Sequence, residues 1–98
     1  MPKRLKPLHP GEVLREEFLR PLELSAGQVA KAIGVPRTRI ERLAAEQVEL
    51  SADSALRLAR YFGTSPDFWM ALKSRHERER AEDALGNALR DIKPRNAA

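Results

Sequence analysis

Hydrophobic side chains recur along this chain at intervals of three and four residues, which places them on one face of a helix. The clearest run has its apolar residues at i, i+3, i+4 and i+7, namely Ala55, Leu58, Ala59 and Phe62. Similar runs predict helices over about residues 10–20, 26–33 and 36–45, one from Ser51 to Gly63, and one from Ser65 onward. The pattern therefore predicts an all-α fold in which short helices share one core.

Residues 25–43 are the most informative stretch, because two short helices meet there at a tight turn. Ser25, followed three residues later by Gln28, is a capping box, in which the two side chains accept hydrogen bonds from two backbone N–H groups of the first turn. Gly34 supplies the positive φ that ends a helix, and Pro36 suits the first position of the next one. Two short helices joined by a turn that contains glycine predict a helix-turn-helix.

The second helix of this motif has an apolar side and a polar side. At 100° per residue, the apolar side holds Ile40, Leu43 and Ala44, and the polar side holds Arg37, Thr38, Glu41 and Arg42. Arginine can donate two parallel hydrogen bonds to guanine, and the methyl group of threonine can contact that of thymine. The polar side therefore suits the reading of bases in a DNA major groove. The alternative interpretation of this motif alone is a solvated helix face.

The fifth predicted helix begins with large apolar side chains that a four-helix core does not need. We expect Phe68, Trp69 and Leu72 to form a homodimer interface, and the alternative is that the two aromatic rings stack on nucleic-acid bases. Residues 73–80 carry no large apolar side chain. Beyond them a helical spacing resumes at Ala81, Leu85, Ala88 and Ile92. This extended C-terminal helix either packs on a second subunit or another partner, or frays.

The length and charge of the chain limit its possible functions. Its 98 residues suit one small domain with an extension. We expect a mobile lead over residues 1–9, a domain over residues 10–73, and a helical extension with a tail over residues 74–98. The net charge of +4 favours a polyanionic partner, although 14 acidic residues among 18 basic ones make the surface mixed.

Several classes of site are not expected from the composition. The chain has no cysteine, which excludes disulfides and thiolate metal sites, and no apolar run of membrane-spanning length, so we expect a cytoplasmic protein without a membrane partner. His9 and His76 are the only histidines and lie at opposite ends of the sequence. We place His9 at a helix entry and His76 in an exposed charged turn, and expect no catalytic residue, metal site, cofactor or small-molecule ligand.

Four sequence blocks carry a resemblance to a known family: H-P-G-E at 9–12, L-S at 24–25, A-K-A-I-G-V-P-R-T-R-I at 30–40, and S-A-D-S-A-L-R-L-A-R-Y-F-G-T-S-P-D-F-W at 51–69. In this order they resemble the HigA family, which comprises helix-turn-helix antitoxins of the XRE (repressor and Cro) class from type II toxin–antitoxin addiction modules. The resemblance implies a compact five-helix domain, dimeric, with an extended C-terminal helix. It also implies a protein that neutralises a HigB-like mRNA-cleaving toxin by direct binding and represses its own operon on double-stranded operator DNA.

The resemblance further implies which residues contact the DNA. The family's base-reading positions fall on Arg37, Thr38, Arg39 and Arg42. Glu41 on the same face, and Ser25 and Gln28 at the start of the first motif helix, are expected to take part in the contact.

Two departures from the family pattern concern the phosphate backbone. Ala26, followed by Gly27, stands where the family usually has a glutamine. Residues 45–49, which include the acids Glu46 and Glu49, stand where the family usually has a loop that contains Asn or Gly together with lysine or arginine. We expect these acids to repel phosphates and to weaken binding to every DNA sequence alike. Two alternatives therefore stay open, a free-standing transcriptional regulator of the same fold and a partner-binding antitoxin with a weakened DNA face. An enzyme is not expected.

Overall fold

The computed structural model of the chain describes residues 6–95, and every regular element within that range is helical. The helices are α1 (Pro10–Val13, continued by a π-helical segment, Leu14–Leu19), α2 (Ala26–Ile33), α3 (Arg37–Ala44), α4 (Ala52–Phe62), α5 (Pro66–Leu85) and α6 (Asn87–Asp91). The predicted all-α class is confirmed. Residues 1–5 of the predicted mobile lead and residues 96–98 of the predicted tail lie outside the described range.

The first helix begins at a histidine cap and changes its winding halfway. The Nδ1 atom of His9 accepts a hydrogen bond of 2.9 Å from the backbone N–H of Gly11, so the predicted place of His9 at a helix entry is confirmed. From Leu14 the backbone is wound as a π-helix, and the N–H of Arg20 donates to the carbonyl of Arg15 at 3.0 Å. The helix ends close to the predicted boundary, but its second half has the wider π-helical turn.

The caps that the sequence predicts are present in the structure. Ser25 and Gln28 exchange both hydrogen bonds of a capping box, at 3.0 and 2.8 Å. Gly34 ends α2 with φ 75°, and Pro36 is the N-cap of α3, so α3 begins at Arg37, one residue later than predicted. The helix-turn-helix is thus built as expected from local signals.

A glycine brings α1 and α3 into backbone contact. A Cβ atom on Gly11 would lie 1.8 Å from the carbonyl oxygen of Leu43, a distance that real atoms do not adopt. Only a residue without a side chain therefore allows the two helices to approach this closely. Below this contact lies the shared core of the helices, whose fully buried side chains include Leu14, Val29, Ile40, Leu50, Leu58 and Trp69.

Trp69 belongs to that core, and its predicted place in a homodimer interface is wrong. The side chain is 0 % exposed within the single chain, its Nε1 donates a 2.7 Å hydrogen bond to Thr64 Oγ1, and its ring lies 5.1 Å from that of Phe18. The phase of α5 turns Trp69 inward and its neighbour Phe68 outward, because successive helical residues differ by about 100° in direction. Phe68 is 40 % exposed, whereas Leu72 is partly buried against the core.

The C-terminal extension consists of two helices rather than the single one that the sequence predicts. Helix α5 continues without interruption through the charged stretch to Leu85, and the chain then turns at Gly86, with φ 50°, into α6. Residues 81–95 are all exposed. The radius of gyration of 16.7 Å exceeds the roughly 13 Å of a compact chain of this length, because the extension projects from the domain. None of the helices that the structure describes is long and apolar enough to cross a membrane.

Candidate DNA-binding interface

The outward side of α3 carries the polar residues that the helical pattern assigned to it. Ile40 and Leu43 are 0 % and 2 % exposed. The exposed residues of the same helix are Arg37, Thr38, Arg39, Glu41 and Arg42. The predicted division of the helix into a packed and a solvent-facing side is therefore confirmed.

Arg37 is the first residue of α3, and an ion pair within the same helix orients its side chain. Its Nε atom lies 3.3 Å from Oε2 of Glu41, one helical turn later, and its side chain stays 71 % exposed. Its methylene groups lie beside Gly27, where an added Cβ would come within 3.0 Å of the Cδ atom of Arg37. An exposed pair of this kind contributes only about 0.3–0.5 kcal/mol, so Arg37 can exchange Glu41 for a base or phosphate at little cost.

Arg42 is the basic residue of α3 whose guanidinium is fully available. Its side chain is exposed and makes no hydrogen bond or ion pair within residues 6–95. It lies five residues beyond Arg37, about 7.5 Å further along the helix axis. The two arginines are therefore placed to contact different base pairs.

Arg39 differs from its two neighbours because its guanidinium is engaged within the chain. Its Nη1 donates a 2.9 Å hydrogen bond to Oδ1 of Asp53 on α4, and the same oxygen accepts a 2.8 Å bond from Arg57. Arg57 also donates to the carbonyl oxygen of Ile33 at the end of α2. The hydrogen bond from Arg57, and then that from Arg39, hold the pKa of Asp53 below its usual value. Arg39 thus ties α3 to α4, and base contact would require it to leave Asp53.

The first turn of α2 offers hydrogen-bond donors beside α3. Ser25 and Gln28 are exposed, and in the capping box each uses its side-chain oxygen as an acceptor. The hydroxyl proton of Ser25 and the amide N–H₂ of Gln28 stay available as donors. The positive end of a helix favours an anion, so this turn is suited to a phosphate.

The two acids after α3 are paired with cations of other elements. Glu46, whose backbone has φ 61°, accepts a 3.1 Å hydrogen bond from Arg15, and Arg15 also donates to the last carbonyl of α3, that of Ala44. Glu49 accepts a 2.9 Å bond from Arg80 on α5. These pairs lessen the repulsion of phosphates that we expected, because a guanidinium of the same chain lies against each carboxylate.

His76 lies in the interior of α5, so its predicted place in an exposed turn is wrong. It is 5 % exposed, and the centre of its ring is 4.7 Å from that of His9. Burial, and then the neighbouring His76 ring, lower the pKa of His9 below the usual value of a histidine. Nothing in the sequence links these two residues, which are brought together only by the packing of α5 on α1.

Comparisons with known proteins agree with this architecture. The helix-turn-helix family HTH_3 matches residues 14–69. Virulence-associated protein I of Dichelobacter nodosus is 45 % identical over 75 residues, which cover 76 % of this chain and 69 % of that protein. The antitoxin HigA of Pseudomonas aeruginosa, whose structure was solved with the higBA promoter, is 41 % identical to this chain with a TM-score of 0.87. The match covers 92 % of this chain and 99 % of the HigA chain.

A second solved structure, antitoxin GraA in complex with its operator, is 35 % identical with a TM-score of 0.86, and the match covers 100 % of this chain and 99 % of that one. The likeness to HigA and GraA includes the C-terminal extension, since almost the whole of each chain is aligned. Other relatives carry the names of an antitoxin, HigA-1 of Vibrio cholerae, and of helix-turn-helix transcriptional regulators. This chain belongs to the HigA family of helix-turn-helix antitoxins.

Proposed function

We propose that this chain binds double-stranded operator DNA through α3 and represses its own operon. The observation that carries the proposal is the exposed face of α3. The side chains of Arg37 and Arg42 lie there in contact with solvent, while the opposite face of the helix is buried. The structures of HigA with a promoter and of GraA with its operator support it, because this chain is similar to both over nearly its full length.

The residues of the interface differ in the part of the DNA that they are placed to contact. Arg37, Thr38 and Arg42 are the candidates for base contacts, and Ser25 and Gln28 are the candidates for a phosphate contact. Arg39 acts mainly as a positioning residue through Asp53. A two-fold dimer would present two copies of α3 to successive major grooves, so we expect a near-palindromic site with half-sites about 34–36 Å apart.

Replacing Arg42 should reduce the preference for the promoter without affecting the fold. Arg42→Ala is expected to cost about 1–3 kcal/mol of promoter binding and to relax selection at one base pair, because a bidentate contact with guanine is lost. The measurement is a titration of labelled promoter and of random duplex DNA at several salt concentrations. Arg78→Ala removes another exposed arginine, from α5, and serves as the charge-matched control, for which the promoter preference should not change.

The thermal midpoints of both variants should equal that of the unmutated protein, since neither arginine has a partner among residues 6–95. If the unmutated protein binds promoter and random duplex equally well at low salt, the repressor role is abandoned. In that case the protein is an antitoxin that acts through its partner alone.

We further propose that the chain neutralises a HigB-like toxin protein through a surface outside α3. The support is membership of an antitoxin family and the projecting extension, on which Leu85, Leu89 and Ile92 are 47 %, 45 % and 68 % exposed. Apolar side chains grouped on an exposed helical segment typically mark a protein interface. One molecule would then hold toxin and DNA at the same time.

Toxin neutralisation and DNA binding should be separable by substitution. Arg37→Ala with Arg42→Ala should leave growth rescue intact when the protein is expressed with the toxin encoded beside its own gene, whereas Leu89→Glu with Ile92→Glu should abolish rescue and keep promoter binding. Circular dichroism checks that both double variants fold. Failure of the folded arginine variant to rescue growth would refute separate surfaces. Absence of a toxin gene next to this one would favour a free-standing regulator.

A further inference from the structure

Three side chains that are far apart in sequence converge where α1, the loop after α3 and α5 meet. They are His9 at the N-terminus of α1, Glu49 in the loop after α3, and His76 in α5. The Nδ1 atom of His76 lies 3.2 Å from Oε1 of Glu49, and the Nε2 atom of His9 lies 4.0 Å from its Oε2. One nitrogen or oxygen atom from each residue lies within 4.8 Å of the others.

His9 brings an unpaired nitrogen to this cluster. Its Nδ1 atom accepts the hydrogen bond from Gly11, which leaves Nε2 pointing towards Glu49 and His76. That Nε2 atom is buried and has no hydrogen-bond partner in the part of the chain that the structure describes. A buried polar atom without a partner is rare in folded proteins, because it has lost its hydrogen bonds with water and gained none. In the neutral ring this nitrogen carries the proton, because Nδ1 is the acceptor, so the position calls for an acceptor or, once the proton is lost, for a metal ion.

We propose that His9, Glu49 and His76 bind a divalent transition-metal ion, with Zn²⁺ as the preferred ion. Two imidazole nitrogens and one carboxylate oxygen form a common three-residue zinc ligand set, with bonds of about 2.0–2.2 Å and water at the fourth position. Ligand atoms on such an ion are about 3.3 Å apart, so side-chain movements of about 1 Å close the site. The hard ions Mg²⁺ and Ca²⁺ prefer oxygen ligands and do not suit two histidines.

The surroundings of the cluster fit a metal ion that is partly open to solvent. The three side chains border an open cleft of about 550 Å³, also lined by Lys6, Glu46 and Arg80, from which water can reach the ion. Arg80 holds Oε2 of Glu49 at 2.9 Å, and such outer hydrogen bonds orient a ligating carboxylate. Lys6 and Arg80 offset the charges of Glu46 and Glu49, so an added metal ion leaves the cleft with a net positive charge.

Metal binding at His9 requires the proton on Nε2 to be lost or moved. An ion at Nε2 displaces the proton of that atom, which either leaves the ring or moves to Nδ1, where it ends the hydrogen bond from Gly11. The affinity therefore rises with pH, and we expect it to be weaker than that of a closed four-ligand zinc site. A bound ion would join α1, the loop after α3 and α5, and would thereby fix the base of the C-terminal extension on the DNA-binding domain.

The test uses the full chain, freed of metal with a chelator. Zn²⁺ should raise the thermal midpoint in a concentration-dependent way, and Co²⁺ should give the visible absorption of a tetrahedral site, whereas Mg²⁺ should do neither. His9→Asn is the decisive variant, because asparagine is a good N-cap and keeps the helix start while the metal ligand is lost. Glu49→Gln and His76→Asn remove the other two ligands, and Glu17→Gln, at an exposed position of the π-helical segment, is the matched control.

The proposal holds if the Zn²⁺ shift and the Co²⁺ absorption are present in the unmutated chain and in Glu17→Gln, and are lost in His9→Asn and Glu49→Gln. It is overturned if the folded, unmutated chain responds to neither ion. It is equally overturned if His9→Asn keeps the full response, because the ion is then bound elsewhere on the chain. Circular dichroism of each metal-free variant shows that a lost response is not a lost fold.

Discussion

Gly11→Ala should destabilise the folded protein by about 3 kcal/mol or more, since the new methyl group would overlap the carbonyl oxygen of Leu43, 1.8 Å away. The obstacle is backbone and not the end of a flexible side chain, so α1 and α3 must move apart and the core between them loses contacts. The measurement is urea unfolding followed by circular dichroism, with the midpoint compared with that of the unmutated chain.

Gly27→Ala provides the matched control for this effect. Its new Cβ atom would come within 3.0 Å of Cδ of Arg37, which is exposed and can move aside, and alanine favours the helix more than glycine by up to about 1 kcal/mol. We expect this variant to unfold at the same or a higher urea concentration. Equal midpoints for Gly11→Ala and the unmutated protein would show that α1 and α3 are not in backbone contact.

The contact between Gly11 and Leu43 also concerns function, because it sets where α3 stands relative to α1. Arg15 adds to it from the π-helical segment by donating to the carbonyl oxygen of Ala44 and to Glu46. Both contacts hold the C-terminal end of α3, while Arg39 and Asp53 hold its middle against α4. Helix α3 is thus fixed on two sides, and its exposed face is the one that carries Arg42.

Local features of this fold could be predicted from the sequence because each depends on residues within one helical turn. The capping box of Ser25 and Gln28 and the left-handed turn at Gly34 need no information from elsewhere in the chain. The same holds for the two faces of α3, which follow from 100° per residue. The motif on which the DNA-binding proposal rests was therefore accessible without a structure.

The features that the sequence did not reveal are contacts between distant segments. Glu46 with Arg15, and Glu49 with Arg80, are each separated by 31 residues, and Arg39 with Asp53 by 14. Hydrophobic spacing tells which side of a helix is buried, but it does not tell which polar group of another helix lies opposite. Charges that look like free acids or free bases in the sequence can therefore be paired in the fold.

Helical spacing alone also did not show that Trp69 is buried while its neighbour Phe68 is exposed, and this difference can be tested by substitution. Trp69→Ala should lower the free energy of unfolding by about 3–5 kcal/mol, because a fully buried ring and its hydrogen bond with Thr64 are lost. That is a large share of the roughly 5–15 kcal/mol that stabilises a typical domain. Urea unfolding measures this loss, and an unchanged midpoint would contradict the burial of Trp69.

Phe68→Ser tests the proposed homodimer on the other side of the same helix turn. Phe68 is 40 % exposed, so its removal should change the stability of the single chain by much less than that of Trp69. If Phe68 lies in the two-fold interface, sedimentation should show a weaker dimer, and the unfolding midpoint should lose its dependence on protein concentration. A dimer of unchanged strength in Phe68→Ser would place the interface elsewhere. A monomer in the unmutated protein would remove the paired half-sites that the DNA proposal requires.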